Sequence, residues 1–564
     1  MISMSREWRQ EPARRWVAYG LLLYGAAAVG RAVCQAAEGC TLGGFVKILL
    51  PSLAVLCVAF VVAVVDIRQF LSGLDLRDRG TLGDVALGAA LASACLPLIL
   101  VGQIVGLTYS LAGLIVVTGF TIACVLTVRR PGPEGLVALL LVLPFLAFLE
   151  WDFRAAWFAG GLVGPFLISP TVIAVWMFFL FSLAPVIVGR GSISLAGIGP
   201  YVGAWIFLVL LSSLAAVDPL MSLQEASLEI FCFPLFFVIV ASRVRSAREA
   251  VMVTWGIVCY GILRIGIVYY FYLQVQQFDM SQAAILNSVQ IYRVIDHVGL
   301  IGCMGIFVMP LAISLVAIAK VRRSLVLASL GAVFCGAAIV SSQVRSTVLP
   351  MLTTLPFIAL HRTRRLPILC CTSGLIVAVL IIGFTVQPNL FSRFQGWQSW
   401  STVVAGQVPR IDAWKVALKI LRDYPLTGIG EGMWDRYYTL YTERIFWWGK
   451  MRLYVNSAHH ILLHQAATGG VPLLIAWIGL IAVVLKKSVR TLRTAVDRRA
   501  RSLTVGYLWS FVGFLTVGMI GGAASLHMRT WDLRRVIDGG MMFWLIVGMI
   551  CSLHLIVESG DRQS

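Results

Sequence analysis

Charged residues are scarce in this chain of 564 residues. They make up 13% of the sequence, against about 25% in soluble globular proteins. Hydrophobic residues make up 59%. This balance excludes a soluble multidomain enzyme, a fibrous protein and a disordered chain. The apolar runs predict instead one large polytopic membrane domain.

Acidic residues and paired cysteines are also few. The 26 Asp and Glu residues face 45 Lys and Arg residues, for a net charge of +19. No soluble basic module is present to hold a nucleic acid, so we expect no such partner. The twelve cysteines contain no CxxC pair, and we expect most to be core residues. Cys34 and Cys40 could form a disulfide if their loop faces an oxidising compartment.

The apolar runs predict an all-α bundle of about sixteen transmembrane helices. The predicted spans are 16–36, 45–65, 84–106, 108–128, 134–150, 163–187, 199–216, 226–242, 250–273, 297–319, 324–342, 345–360, 366–387, 470–485, 503–522 and 538–556. We divide the chain into extra N-terminal spans (1–130), a transmembrane core (131–387), a long loop (388–469) and C-terminal spans (470–564).

Seven basic clusters fall on one side of this predicted topology, at 14–15, 68–79, 129–130, 243–248, 320–323, 361–365 and 486–501. The positive-inside rule assigns that side to the cytoplasm, together with both termini. The loop 388–469 then lies on the periplasmic or extracellular side. A loop of this length is usually functional.

The loop is rich in aromatic and basic residues. Between Phe391 and Tyr454 it contains six tryptophans, five tyrosines and nine Lys or Arg residues. One interpretation is an aromatic belt at the membrane interface, with basic side chains reaching lipid phosphates. The other is a site for an anionic, sugar-bearing substrate, with Trp414, Trp434 and His460 as candidates for sugar binding.

Two stretches of the loop predict helices. PRIDAWKVALKILRDYPLTGIGEG (409–432) predicts an amphipathic helix along the membrane surface, with Arg410 at its start and a Pro/Gly turn at its end. The spacing places five residues on its apolar face: Ile411, Trp414, Ala417, Leu418 and Leu421. NSAHHILLHQAATGGVP (456–472) predicts a short helix capped by Asn456 or Ser457 and ended at Gly469/Gly470.

The second of these stretches holds three of the chain's seven histidines. His460 and His464 have a spacing that can bind zinc, but no HExxH motif and no third ligand accompany them. We therefore expect no metal. His459, at the predicted helix start, is either a structural hydrogen-bonding residue or a catalyst.

Arginines supply further candidates. Arg345 follows the span 324–342 at the outer side, where it binds an anion or reaches lipid headgroups. Arg264 lies within a span, where a charge is costly, and either has a function or pairs with a carboxylate such as Asp296. Arg529 lies on the predicted outer side, against the usual charge bias.

These stretches resemble the bacterial O-antigen ligase and polymerase family of membrane glycosyltransferases. PRIDAWKVALKILRDYPLTGIGEG matches the family's loop arginine, helix and Pro-Leu-x-Gly-x-Gly turn, which places Arg410 on that arginine. AHHILLHQAATGGVPLL matches its histidine helix, with His459 on the histidine. SSQVRSTVLP is similar to a Ser-Arg junction and places Arg345 on a second arginine, while Arg293 lies in a segment similar to one before an earlier span. The chain departs from the family at His460, where Asn is usual.

The resemblance implies glycan transfer from an undecaprenyl-diphosphate-linked donor to a glycan or lipid A core acceptor, at the periplasmic face of the inner membrane. It implies Arg345 and Arg410 as stabilisers of the diphosphate, with Arg264, Arg293 and Arg529 as further ligands. It implies His459 as the base, inversion of the anomeric centre, membrane lipids as surroundings and no cofactor. A transporter or flippase of a lipid-linked or anionic solute is the alternative, and a structural subunit of an envelope assembly is a third.

Overall fold

A computed structural model of the protein describes residues 132–144, 193–277, 288–341, 400–442, 447–448, 451–452, 457–520 and 533–561, with isolated residues between 120 and 186 and between 360 and 377. The side chains of 268–300, 400–409 and 533–538 lie outside the description. The chain divides into two compact units, and every element below belongs to the second (Gly132–Pro144, Val163–Phe179 and Ser192–Ser564).

The described part is helical, as predicted, apart from one short hairpin. The helices are α1 (Glu134–Pro144), α2 (Gly199–Leu214), α3 (Pro219–Phe231), α4 (Phe233–Arg243), α5 (Ala247–Gln277), α6 (Ser288–Ile318), α7 (Arg322–Ser341), α8 (Trp400–Asp423), α9 (Trp434–Tyr441), α10 (Ile461–Thr494), α11 (Arg498–Ile520) and α12 (Leu533–Asp561). The antiparallel hairpin consists of β1 (Trp447–Trp448) and β2 (Met451–Arg452).

Six described helices contain a segment long and apolar enough to cross a membrane, so this is a multi-pass membrane protein. The segments are Ala247–Ile267, Ile301–Ile318, Arg322–Ile339, Ile461–Thr494, Arg498–Met519 and Gly539–Ser559. Each coincides with a span predicted from the sequence. Three further predicted spans meet shorter apolar helices, and the other seven fall largely or wholly outside the described residues. The total of about sixteen spans stays a prediction.

One predicted span, 226–242, contains a break. The chain forms α3 up to Phe231 and starts α4 at Phe233, with Cys232 between them. Pro234 lies in the first turn of α4. A proline has no backbone N–H to donate and fits the first turn of a helix, so the chain starts a new helix there.

Aromatic side chains join α2, α10 and α12. The ring of Trp205 lies 6.0 Å from that of Trp477 and 5.6 Å from that of Trp544, measured between centroids. Phe543 packs on Trp477 at 5.1 Å. All four side chains are fully buried. Large buried aromatic rings contribute much apolar area, and this cluster fixes the long helix α10 on which the candidate site depends.

Candidate functional site

Helix α8 carries two predicted site residues, Arg410 and Trp414. It begins at Trp400, so Arg410 lies about three turns into the helix and not at its start. The predicted helix start is therefore wrong. Pro409 is typical of a first helical turn, but it removes only one backbone donor and here lies inside the helix. Arg410 and Trp414 are half-buried and lie one turn apart on the same face.

The buried face of α8 differs from the predicted one. Ala413, Val416 and Ile420 are buried, whereas Ile411 and Leu418 are 42% and 54% exposed. Only Ala417 of the predicted apolar face is buried; Trp414 and Leu421 are half-buried. The helical period is right but the face is rotated. Apolar residues occur on both sides of α8, and small alanines allow the closest approach of a neighbouring element.

The buried face of α8 belongs to one apolar cluster that joins several elements. Its members come from the end of α2, from α8, α9, α10 and from the chain between them: Ala216, Ala413, Val416, Ala417, Ile420, Ile429, Met433, Trp434, Tyr437, Tyr438, Ala458 and Ala467. Because residues distant in sequence share this cluster, it holds the predicted loop helix and the predicted histidine helix in one packed body.

The segment 425–432, which we call the glycine turn, is bonded to the end of the histidine helix through backbone groups. Ile429 N–H donates to the Ala467 carbonyl at 3.0 Å, and Gly430 N–H donates to the Thr468 carbonyl at 2.9 Å. Val471 N–H donates to the Pro425 carbonyl at 2.8 Å. No side chain thus separates the two segments, and their backbones are in direct contact.

Two glycines make this approach possible. A Cβ atom at Gly428 would lie 2.3 Å from the Thr468 carbonyl oxygen, and one at Gly470 would lie 2.6 Å from the Pro425 carbonyl oxygen. Both glycines have positive φ, 63° and 72°, a region that favours glycine. Gly470 is also non-helical and divides α10 by a kink. The predicted stop of the histidine helix at Gly469/Gly470 is confirmed.

The histidine helix begins with an unexpected cap. The cap residue is His460, whose Nδ1 accepts the N–H of Leu463 at 3.3 Å. The prediction of Asn456 or Ser457 as the cap is wrong. The Ser457 hydroxyl instead accepts the N–H of His459 at 3.2 Å. His459 itself has a φ of 49°, which is uncommon outside glycine and which folded proteins retain where surrounding structure enforces it.

Aromatic contacts connect the histidines to α8 and α9. The ring of His460 meets Trp414 edge to face, with centroids 5.8 Å apart. The ring of His464 lies 5.5 Å from Trp434, which also stacks on Tyr438. Trp434 is only 2% exposed, so its ring has a packing role here. The structure therefore brings the Arg410 face of α8 and the start of the histidine helix together.

The other predicted arginines are either buried in a membrane helix or outside the described side chains. Arg264 is buried in α5, at 3% exposure, within a candidate span. Arg293 lies in α6, but its side chain is outside the description. Arg345 and Arg529 fall outside the described residues. Among the described residues no group of three or more His, Cys, Asp or Glu side chains could hold a metal ion.

Several groups in this body are not predicted from the sequence. Ser212 on α2 donates its hydroxyl to the Thr468 carbonyl at 2.5 Å, across 256 positions of sequence. Glu431, in the glycine turn, and Asp435, just after it, are buried carboxylates at 3% and 8% exposure. Nothing in the apolar sequence around Ser212 signals this role. For Glu431, the flanking glycines in the sequence GEG indicate a turn, and both have a positive φ in the structure.

Several titratable groups at this site have shifted pKa values, among them His460, Asp423 and Tyr441. Burial lowers the pKa of His460, which favours the neutral imidazole. The hydroxyl of Tyr441 donates to Asp423 Oδ2 at 2.6 Å, and Arg422 Nε donates to Oδ1 at 3.1 Å. These bonds, that of Tyr441 first, lower the pKa of Asp423. The same bond raises the pKa of Tyr441 to about 12.

A comparison with protein families gives one match. The O-antigen ligase family model matches residues 330–478, which confirms the resemblance predicted from the motifs. The matched region contains Arg345, Arg410 and His459, but not Arg264, Arg293 or Arg529. No curated protein matches the chain.

Proposed function

We propose, from the match of the O-antigen ligase family model to residues 330–478, that this protein transfers a glycan from an undecaprenyl-diphosphate-linked donor to a hydroxyl acceptor. The reaction is either ligation to a lipid A core or polymerisation onto another lipid-linked glycan. The family match is the observation that carries the proposal. The backbone-bonded body that joins α8 to the histidine helix supports it, because a transferase needs its charged and basic groups in one fixed place.

The diphosphate leaving group is assigned to arginines. As the glycosidic C–O bond breaks, the bonding electrons stay on the undecaprenyl diphosphate, which leaves as an anion. Guanidinium groups held in a partly desolvated site stabilise that charge, with bidentate geometry for phosphate oxygens. We assign this role to Arg410 and Arg345, and we keep Arg264, Arg293 and Arg529 as further ligands. The half-buried position of Arg410 fits such a site.

The acceptor hydroxyl is assigned to His459. A neutral imidazole acts as a general base and accepts the hydroxyl proton while the oxygen attacks the anomeric carbon. Direct displacement inverts that carbon. The proton balance needs no metal, because the base is a side chain and the leaving group is stabilised by arginines. Trp414 remains a candidate for sugar contact, since its half-buried ring lies one turn from Arg410.

The membrane arrangement is part of the proposal. We infer about sixteen spans, both termini in the cytoplasm, and the segment 388–469 at the periplasmic face of the bacterial inner membrane. Six candidate spans that coincide with predicted ones support this topology. The prenyl tail of the donor then enters from the lipid, and the diphosphate meets the outer ends of the helices.

The test is an assay of purified protein with undecaprenyl-diphosphate-linked glycan as donor, in the presence of EDTA. We expect the wild type to release undecaprenyl diphosphate, with a longer glycan or a modified lipid A core. His459→Ala should reduce the rate by about 10² to 10⁴. Arg410→Ala should reduce it by about 10² to 10³, and Arg345→Ala should also reduce it.

Arg422→Ala is the matched control for Arg410→Ala. It removes the same charge from the same helix, but the Arg422 side chain is 78% exposed and pairs with Asp423. We expect wild-type turnover from this variant. If the donor binds but no acceptor consumes it, and His459→Ala behaves as wild type, the transferase proposal fails. A carrier that moves the lipid-linked glycan would then explain the same arginines.

A further inference from the structure

The start of the histidine helix is capped by a residue type that rarely caps helices. Ser, Thr, Asp and Asn are the usual caps, because a short side-chain oxygen accepts an N–H of the first turn. His460 performs this role with a ring nitrogen, which accepts from Leu463 at 3.3 Å. Its backbone is extended, with φ −153° and ψ 114°. Its carbonyl also accepts the first intrahelical bond, from His464 N–H at 2.9 Å.

The His460 ring is held from a second side by α8. Its edge-to-face contact with Trp414 has an interplanar angle of 83°. Trp414 is part of the same helix face as Arg410, one turn away. The ring of His460 is therefore fixed between the first turn of the histidine helix and the helix that carries the proposed phosphate ligand.

The preceding residue, His459, depends on this cap for its conformation. Its left-handed φ of 49° is uncommon and strained for a residue other than glycine. The His459 N–H donates a hydrogen bond to the Ser457 hydroxyl on one side, and the cap residue His460 follows directly on the other. Without the cap, the chain at His459 loses the fixed helix start that holds the strained conformation.

We propose that His460 is the positioning residue for His459, and that it acts through the neutral form of its imidazole. A proton on Nδ1 would occupy the lone pair that accepts the Leu463 N–H, so the cap needs that nitrogen unprotonated. An Asn in its place would accept through an amide oxygen that does not titrate. The histidine therefore makes this helix start dependent on pH. The link to activity rests on the proposed function, but the cap itself does not.

The surroundings of the ring oppose its protonation. On α8, within one turn of Trp414, lie Arg410, Asp412 and Lys415. The last two form an ion pair at 3.7 Å, so their charges largely cancel. Burial disfavours the charged imidazolium and lowers the pKa of His460.

The experiment measures hydrogen exchange of peptides containing the Leu463 amide in the full-length protein, at about pH 8 and at an acidic pH well below 6.5, about pH 5. Rates are corrected for intrinsic exchange. In the wild type we expect protection of this turn to fall by about fivefold at the acidic pH, as a helix cap is lost. His460→Asn should keep its protection at both pH values. His460→Ala should have the low protection at both.

His554→Asn is the control for histidine titration in general. Its ring contacts the far end of α10 at Thr491, with 3.1 Å between Nδ1 and the hydroxyl. It should leave the pH effect at Leu463 unchanged. The role of the His460 imidazole as a pH-dependent cap is refuted if His460→Asn shows the same pH effect as the wild type. If His460→Ala does not fold, the comparison of wild type with His460→Asn decides alone.

Transfer activity then tests the positioning role. In the wild type, acidification should lower the rate in two ways, by protonating the proposed base and by loss of the His460 cap. In His460→Asn only the first remains, so the ratio of the rate at about pH 5 to that at about pH 8 rises. An equal ratio in the two proteins would overturn the positioning role. If no variant or wild type turns over donor, the proposed function fails, while the hydrogen exchange result for the cap still stands.

Discussion

The membrane helices and the body around the glycine turn are held together by different groups. In the helices, buried hydroxyls bond to carbonyls one turn back, as Ser488 does to Val484 and Thr504 to Ala500, and large apolar side chains fill the space between helices. Around the glycine turn, backbone N–H and carbonyl groups of two segments some forty residues apart form hydrogen bonds with each other. The first region depends on side-chain volume, and the second depends on the absence of side chains.

This difference sets what each region tolerates. A bundle packed by interchangeable apolar groups accepts substitutions that conserve volume. A joint made of backbone hydrogen bonds accepts neither an added Cβ atom nor the loss of a bonded donor, because each buried backbone group needs its partner. Three substitutions follow, two of which have a counterpart in the membrane helices, while the third lies at the surface.

The largest effect is expected from Gly428→Ala. The new Cβ would overlap the backbone of Thr468, at 2.3 Å from its carbonyl oxygen, and the residue would keep a φ of 63°. We expect a loss of stability of about 3 kcal/mol, from strain and from broken bonds to the histidine helix. Thermal unfolding in detergent and the transfer assay measure it. Gly203→Ala, in α2, is the counterpart, because nothing lies within 4 Å of the added atom. Equal losses in both variants would contradict the contrast.

A smaller effect is expected from Ser212→Ala. This hydroxyl donates to the Thr468 carbonyl, which also accepts from Gly430. Loss of a buried hydrogen bond between distant segments should cost about 1 to 2 kcal/mol, measured by thermal unfolding. Ser488→Ala removes a buried hydroxyl that bonds only one turn back, and it should change stability by less than about 0.5 kcal/mol. A larger loss of stability in Ser488→Ala than in Ser212→Ala would contradict the contrast between the two regions.

The smallest effect is expected at the surface, from Asp423→Asn. Its bonds to Tyr441 and Arg422 lower the pKa of this carboxyl, so its contribution to stability is present above the unfolded value of about 3.9 and is lost as the pH falls. The variant should unfold at a slightly lower temperature than the wild type near neutral pH, and the difference should shrink on acidification. A difference that grows in acid would contradict this sign.

The sequence predicts those features that depend on local residue types. Six candidate spans follow from apolar length alone. The end of the histidine helix follows from Gly469 and Gly470, because a glycine with positive φ is how chains commonly leave a helix. The family is also predicted, because its motifs are short and continuous in the chain.

Features that depend on distant contacts are not predicted. The buried face of α8 is set by which elements pack on it, and its apolar residues surround too much of the helix to reveal that face. The cap at His460 replaces two residues with far better capping propensity, Asn456 and Ser457, because the ring finds support on Trp414. Ser212 bonds to Thr468 across the fold, and no pattern in its own helix signals a partner.

The kink at Gly470 divides α10 into a short first part and a long second part. The whole helix has 34 residues, which is about 51 Å at 1.5 Å per residue, far more than the hydrocarbon thickness of about 30 Å. The part after the kink, Val471–Thr494, is about 36 Å long and is therefore long enough to cross that thickness by itself. The histidine-bearing turns before Gly470 are therefore not needed to span the membrane. Their direction is set by the glycine turn, which is bonded to them through backbone groups.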